Sequence, residues 1–168
     1  KGQSYLYWKH NRLYQLPISF WNTDQRWVHS PGYSNDLINF DRAVLPNCLE
    51  CHSTFAKNQF PKDVSSNRYV KTELLFGVNC ESCHGPALKH VNAHRKDPKL
   101  KEPKFMTAIK KLSQQQQLDA CARCHSGLRQ PLRPPFTFQP GDILNEFYKP
   151  NAVANTTTVL DVHGNQYG

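Results

Sequence analysis

All six cysteines of this 168-residue chain fall into one repeated pattern, C-x-x-C-H. The three copies are Cys48, Cys51 and His52; Cys80, Cys83 and His84; and Cys121, Cys124 and His125. Thiols three residues apart lie about one helical turn from each other. This is the attachment pattern of c-type haem: the two thiols add to the two vinyl groups on one edge of the porphyrin, and the adjoining histidine bonds the iron. Three complete motifs imply three covalently attached haems, each with one face fixed by its own histidine.

Other uses of cysteine fit poorly. Zinc sites combine C-x-x-C pairs into fours or add further histidines, and three pairs with a histidine always adjacent do not divide that way. A thioredoxin-like redox motif is expected once, at the start of a helix in a βαβ setting that this chain lacks. Disulfides are the other minor reading.

Composition agrees once haem is allowed for. Counting glycine, the apolar share is about 39%, below the roughly 45–50% of ordinary globular domains, and mean hydropathy is −0.68. Three porphyrins supply large flat apolar bodies that replace side chains in a centre. The formal charge of +8 falls to about +5 if each ferric haem with ionised propionates contributes about −1. A basic protein of this kind suits acidic partners or an anionic substrate and does not indicate nucleic acid. Lys96, Lys99, Lys101 and Lys104 form a loose basic run, which reads as a solvated loop.

Haem thioethers are made outside the cytoplasm on reduced thiols, so a periplasmic or extracellular location is expected. No signal peptide is visible and residue 1 is Lys, which fits a mature form or an excised piece. No stretch approaches the roughly 18 apolar residues of a membrane span.

The expected fold is that of a multihaem cytochrome: sparse secondary structure, short helices carrying the C-x-x-C-H motifs, a small N-terminal β-hairpin and long loops. "QSYLYW" and "RLYQLPISFW", separated by the polar "KHN", read as the hairpin, and Pro17 argues that its second run is an edge strand. Residues 30–46 read as a loop. Pro86 is placed to open a helix through "ALKHVNAHRK". Ser113 followed by Gln116 forms a capping box for a helix through "QQQLDACARCH". Pro131, Pro134, Pro135 and Pro140 make the following stretch an extended wrap. Residues 1–168 read as a single three-haem unit, expected to be part of a longer multihaem protein.

The segments "GQSYLYW", "LYQLPISFW", "SPGY", "CLECHST", "GVNCESCHGPALKHV", "LDACARCH" and "DVHGNQYG" resemble the secreted multihaem c-type cytochromes of the cytochrome c554-like class. The resemblance covers nearly the whole chain. It implies an extracytoplasmic protein with closely packed haems whose irons carry two histidines each, and relatives that are longer and hold further haem motifs. His10 and His29 stand where histidine is not expected in that family.

Five histidines remain after the three attachment histidines: His10, His29, His90, His94 and His163. Met106 is the only methionine, so Met/His ligation, which raises potential, can serve one haem at most. His90 follows its own motif closely on the proposed helix and cannot easily reach round to the far face of its own porphyrin. It is therefore expected to bind the iron of a neighbouring haem, with the haem of Cys48 and Cys51 assigned on sequence adjacency. His163, in the family-like "DVHGNQYG", is the next distal ligand and His29 the third. His94 reads as a surface or propionate-bonded histidine, and His10 and His29 can equally cap a hairpin or loop.

The favoured function is electron transfer through closely packed bis-histidine haems, with redox proteins or other cytochrome subunits as partners. One alternative is an enzyme that reduces or oxidises a small nitrogen or sulfur compound at one five-coordinate haem. Another is a structural subunit of an extracellular cytochrome filament or other homo-oligomer. The sequence favours a carrier over an enzyme, because five spare histidines exceed three open iron positions.

Overall fold

The protein is described here from a computed structural model, which covers residues 2–33, 38–127 and 129–149. The N-terminal aromatic and β-branched runs form an antiparallel sheet of β1 (Gly2–Lys9), β2 (Arg12–Trp21) and β3 (Arg26–His29). β1 and β2 are joined through His10 and Asn11, since Lys9 pairs with Arg12. His10 takes φ 59, so the predicted hairpin is present and His10 is one of its turn residues.

The edge-strand reading of β2 is overturned: β2 is the central strand, between β1 and β3. Its proline is tolerated because the β1–β2 register jumps from Ser4↔Ser19 to Leu6↔Gln15, a bulge that removes the need for an N–H at Pro17. The Pro17 carbonyl is still used, accepting from Ser30 N at 2.9 Å.

The first motif lies on α1 (Pro46–His52), opened by a proline in its first turn. β4 (Ser53–Asn58) follows without a break and pairs with β5 (Tyr69–Phe76). The second motif forms α2 (Cys80–His84), capped by the Asn79 side chain, which accepts from Glu81 N. Gly85, at φ 76, ends α2, and α3 (Leu88–Lys96) starts two residues later than Pro86 alone suggested. α4 (Gln114–His125) carries the third motif and has the reciprocal Ser113–Gln116 capping box. The chain then wraps through irregular, proline-rich segments to a short 3₁₀ turn at Leu144–Glu146.

The protein core is thin, as the composition implies. Leu13, Val44, Leu49, Ala56, Tyr69 and Leu74 join the N-terminal sheet to α1 and the β4–β5 hairpin. Tyr69 satisfies its buried hydroxyl by donating to Val44 O at 2.9 Å. Phe138, Leu144, Phe147 and Tyr148 form a second cluster beside α4. No helix among the described residues is long and apolar enough to cross a membrane.

Candidate haem-binding site

Each cysteine pair occupies one turn of a helix, with its histidine at that helix's C-terminal end. Cys48, Cys80, Cys83 and Cys121 are exposed, Cys51 and Cys124 are half-buried, and all six are free thiols. These thiols stand for the thioether sulfurs of a haem-loaded protein. Among the described residues no three His, Cys, Asp or Glu side chains converge as a metal-ion cage.

The histidine geometry fits haem iron. His84 Nδ1 lies 2.8 Å from the carbonyl oxygen of Thr107. A carbonyl only accepts, so Nδ1 carries the proton and Nε2 keeps its lone pair for a metal. His90 repeats this arrangement, with Nδ1 2.9 Å from Lys104 O. His94 packs against it, ring centroids 4.4 Å apart, and His94 Nε2 is buried without a hydrogen-bond partner among the described residues. The α2 helix is also flanked by apolar side chains left open to solvent, Phe76 at 66% and Val78 at 58% exposed, surface of the kind that a porphyrin covers.

The three motifs gather around α1. On one side, Cys51 Sγ lies 3.7 Å from Arg123 O in the third motif, and the Cys51 and Cys124 side chains are close enough to influence each other's ionisation. As free thiols, the pair pushes Cys51 up, as does its burial, and Cys124 down, helped by the Arg123 guanidinium. Arg123 donates to Glu50 O at 2.5 Å. On the other side, Thr54 Oγ1, two residues past His52, accepts from Asn79 N at 3.0 Å and bonds Ser82 Oγ at 3.3 Å, both in the second motif's segment. The spatial order of the attachment helices is therefore α2, α1, α4, with the first motif in the middle.

Two buried carboxylates lock this arrangement. Glu50, inside the first motif, accepts from Phe136 N at 2.8 Å and from the Tyr148 hydroxyl at 2.6 Å, which pins the C-terminal wrap to α1. Burial, and then the Glu50 charge, push the Tyr148 hydroxyl well above its ordinary range. Asp119 on α4 accepts from Gln115 Nε2 at 2.8 Å and Leu144 N at 3.1 Å. Glu50 and Arg123 are residues that sequence reading passed over. Their signal was available, as opposite charges at the same variable position of two motifs. Thr107 and Lys104 had no such signal, because they act through backbone carbonyls.

The remaining candidates are less closely joined to this group. His52 and His125 are exposed at the ends of α1 and α4. His29 ends β3 opposite Ile18 and is exposed, and none of the contacts that join the motifs involves it. His163 and the "DVHGNQYG" segment lie outside the described residues.

Comparison with known proteins agrees with this reading. Residues 7–85, a little under half the chain, match the family described as cytochrome c554 and c-prime. None of the curated proteins matches the chain. The crystal structure of outer cell wall cytochrome OcwA has a similar fold, with a TM-score of 0.56 at 20% identity; the match covers 88% of this chain and 30% of that one. The family pattern therefore runs through the first two motifs, and over most of its length the chain has a fold similar to that of an outer cell wall cytochrome.

Proposed function

We propose that this chain is an electron carrier working outside the cytoplasm with three covalently held haems of bis-histidine type. Cys48 and Cys51, Cys80 and Cys83, and Cys121 and Cys124 would hold them, and His52, His84 and His125 would bind iron on the attached faces. His90 is the first choice for an opposite face, with His163 and His29 as the further candidates. When bound, each haem supplies a one-electron iron couple. The protein's part is to fix separations, orient imidazoles and limit water.

The observation that carries this reading is the gathering of the second and third motifs on the two sides of α1. A carrier needs attachment points close enough for electrons to pass between porphyrins, and this packing supports that reading. Thr107 O and Lys104 O favour it further by holding His84 and His90 in the ligand tautomer. Partners would be redox proteins or other cytochrome subunits.

Electron paramagnetic resonance of the oxidised full-length protein, followed by carbon monoxide addition to the reduced form, tests the proposal. All haems are expected to be low-spin and to bind little carbon monoxide. A stoichiometric high-spin haem that binds carbon monoxide rapidly and turns over nitrite or hydroxylamine would replace the carrier with an enzyme.

A further inference from the structure

The basic charge is concentrated in one stretch. Between Lys89 and Lys111 lie eight of the chain's 21 basic residues and two of its 13 acidic ones, so this segment carries +6 of the formal +8. All eight are exposed, and none of the ion pairs among the described residues involves them. Helix ends account for part of the pattern, since Arg95 and Lys96 close α3 and Lys110 and Lys111 close a 3₁₀ turn. They do not account for Lys89, Lys99, Lys101 or Lys104.

The segment is held against the second motif. After α3 it turns at Asp97, whose side chain accepts from Lys99 N at 3.0 Å, and returns so that Lys104 O meets His90 and Thr107 O meets His84. α3 itself has two sides. His90, Ala93 and His94 share the half-buried side, whereas Leu88, Asn92, Arg95 and Lys96 share the opposite, exposed one. Leu88 is 71% exposed there, and Phe105, beside Lys104, is 61% exposed. Phe105 has φ 63, a left-handed conformation that costs a bulky residue energy.

We infer that this exposed segment, which carries Leu88 beside Lys89 and Phe105 beside Lys104 with Lys96, Lys99 and Lys101 between them in sequence, is the docking surface for an acidic redox protein that exchanges electrons at the second haem. The inference rests on the carrier reading and names its partner. Unpaired exposed cations steer an acidic partner over a distance of about a Debye length. Exposed apolar side chains beside exposed cations fit a small, transient protein interface; a flexible polyanion would need the charges alone.

The test uses a reduced, acidic plant-type [2Fe–2S] ferredoxin as the surrogate partner and the oxidised full-length haem-loaded protein. One electron leaves the cluster, which is oxidised, and one ferric haem becomes ferrous. In the triple variant Lys96→Glu, Lys99→Glu and Lys101→Glu, the second-order rate constant at low salt is expected to fall about tenfold or more. A control with the same charge change elsewhere, Lys9→Glu, Lys62→Glu and Lys149→Glu, should stay within about twofold. The wild-type rate should drop steeply with added salt, and that of the first triple variant should not. Equal slowing in both triples would reduce the effect to net charge and overturn the surface, as would no slowing in either. Dithionite needs no docking surface, so its reduction of every variant checks the haems separately: failure there counts against the carrier reading, failure with ferredoxin alone against the surface.

Discussion

Arg123 of the third motif donates to the backbone carbonyl of Glu50 in the first, at 2.5 Å, across 73 residues of sequence. Glu50 in turn uses its carboxylate to hold Phe136 N and the Tyr148 hydroxyl. One residue of a haem-attachment motif thus ties together two motif helices and the C-terminal wrap. Glu50→Ala would strand the Tyr148 hydroxyl and the Phe136 N–H in a buried site. Each such loss costs about 1–3 kcal/mol, so a fall of about 2–6 kcal/mol in unfolding free energy is expected by denaturant titration. Glu50→Gln keeps an acceptor and should lose about half as much or less. Equal stability of Glu50→Ala and the wild type would mean that the wrap is held by other contacts.

Covalent haem count is the most direct expectation of the motifs. Intact mass should exceed the 19.4 kDa polypeptide by three haems, and acid-acetone should extract none. Replacing Cys80 and Cys83 by Ala should remove one haem and leave two. Free thiols titrating in the denatured haem-loaded protein would defeat this.

His90→Met tests the ligand assignment. If His90 binds an iron, one haem's potential should rise, because methionine favours the ferrous state relative to histidine, and two should stay unchanged. An unaltered spectrum and redox titration would leave His90 as a helix residue held by Lys104 O. The gathering of α2 against the Thr54 end of the first motif supports the haem of Cys48 and Cys51 as the neighbour.

What the sequence made legible was local. The C-x-x-C-H motifs, the capping box at Ser113 and the hairpin through His10 and Asn11 all depend on residues within a few positions of each other. The β4–β5 hairpin went unread because its strands are separated by the ten-residue connector 59–68 and pair irregularly, with register shifts on both sides of Phe55 and Ala56. Pro17 misled for a physical reason: its missing donor excludes a regular central strand, and a bulge satisfies the same constraint. The pairing of the first motif with the third could not be read from spacing, because sequence adjacency joins the first to the second. It rests on Arg123, Glu50 and Cys51 meeting side by side, a contact set by how α4 packs after a long excursion of the chain. The histidine tautomers were equally out of reach, since they depend on where two backbone carbonyls fall.

Alkaline stability follows from the two buried phenols. Tyr69 and Tyr148 have their hydroxyls pushed above the ordinary tyrosine range, chiefly by burial, with the Glu50 charge adding to both. A group whose folded pKa is raised contributes stability that is fully present below its unfolded value, near 10, and is lost as pH rises toward the folded value. The protein should therefore unfold cooperatively in alkali, its unfolding free energy falling with pH from about pH 10 upward. Two of its seven tyrosines should ionise only with that unfolding, as followed by near-ultraviolet difference absorbance. Tyr148→Phe removes one of the two groups. It should lower stability at neutral pH by about 1.5–3 kcal/mol, the range for a hydrogen bond to a charged partner, yet decline less steeply above pH 10. A variant whose alkaline slope matches the wild type would show that Tyr148 ionises freely in the folded protein, and the Glu50–Tyr148 bond would then not be the lock that fastens the C-terminal wrap to the first haem motif.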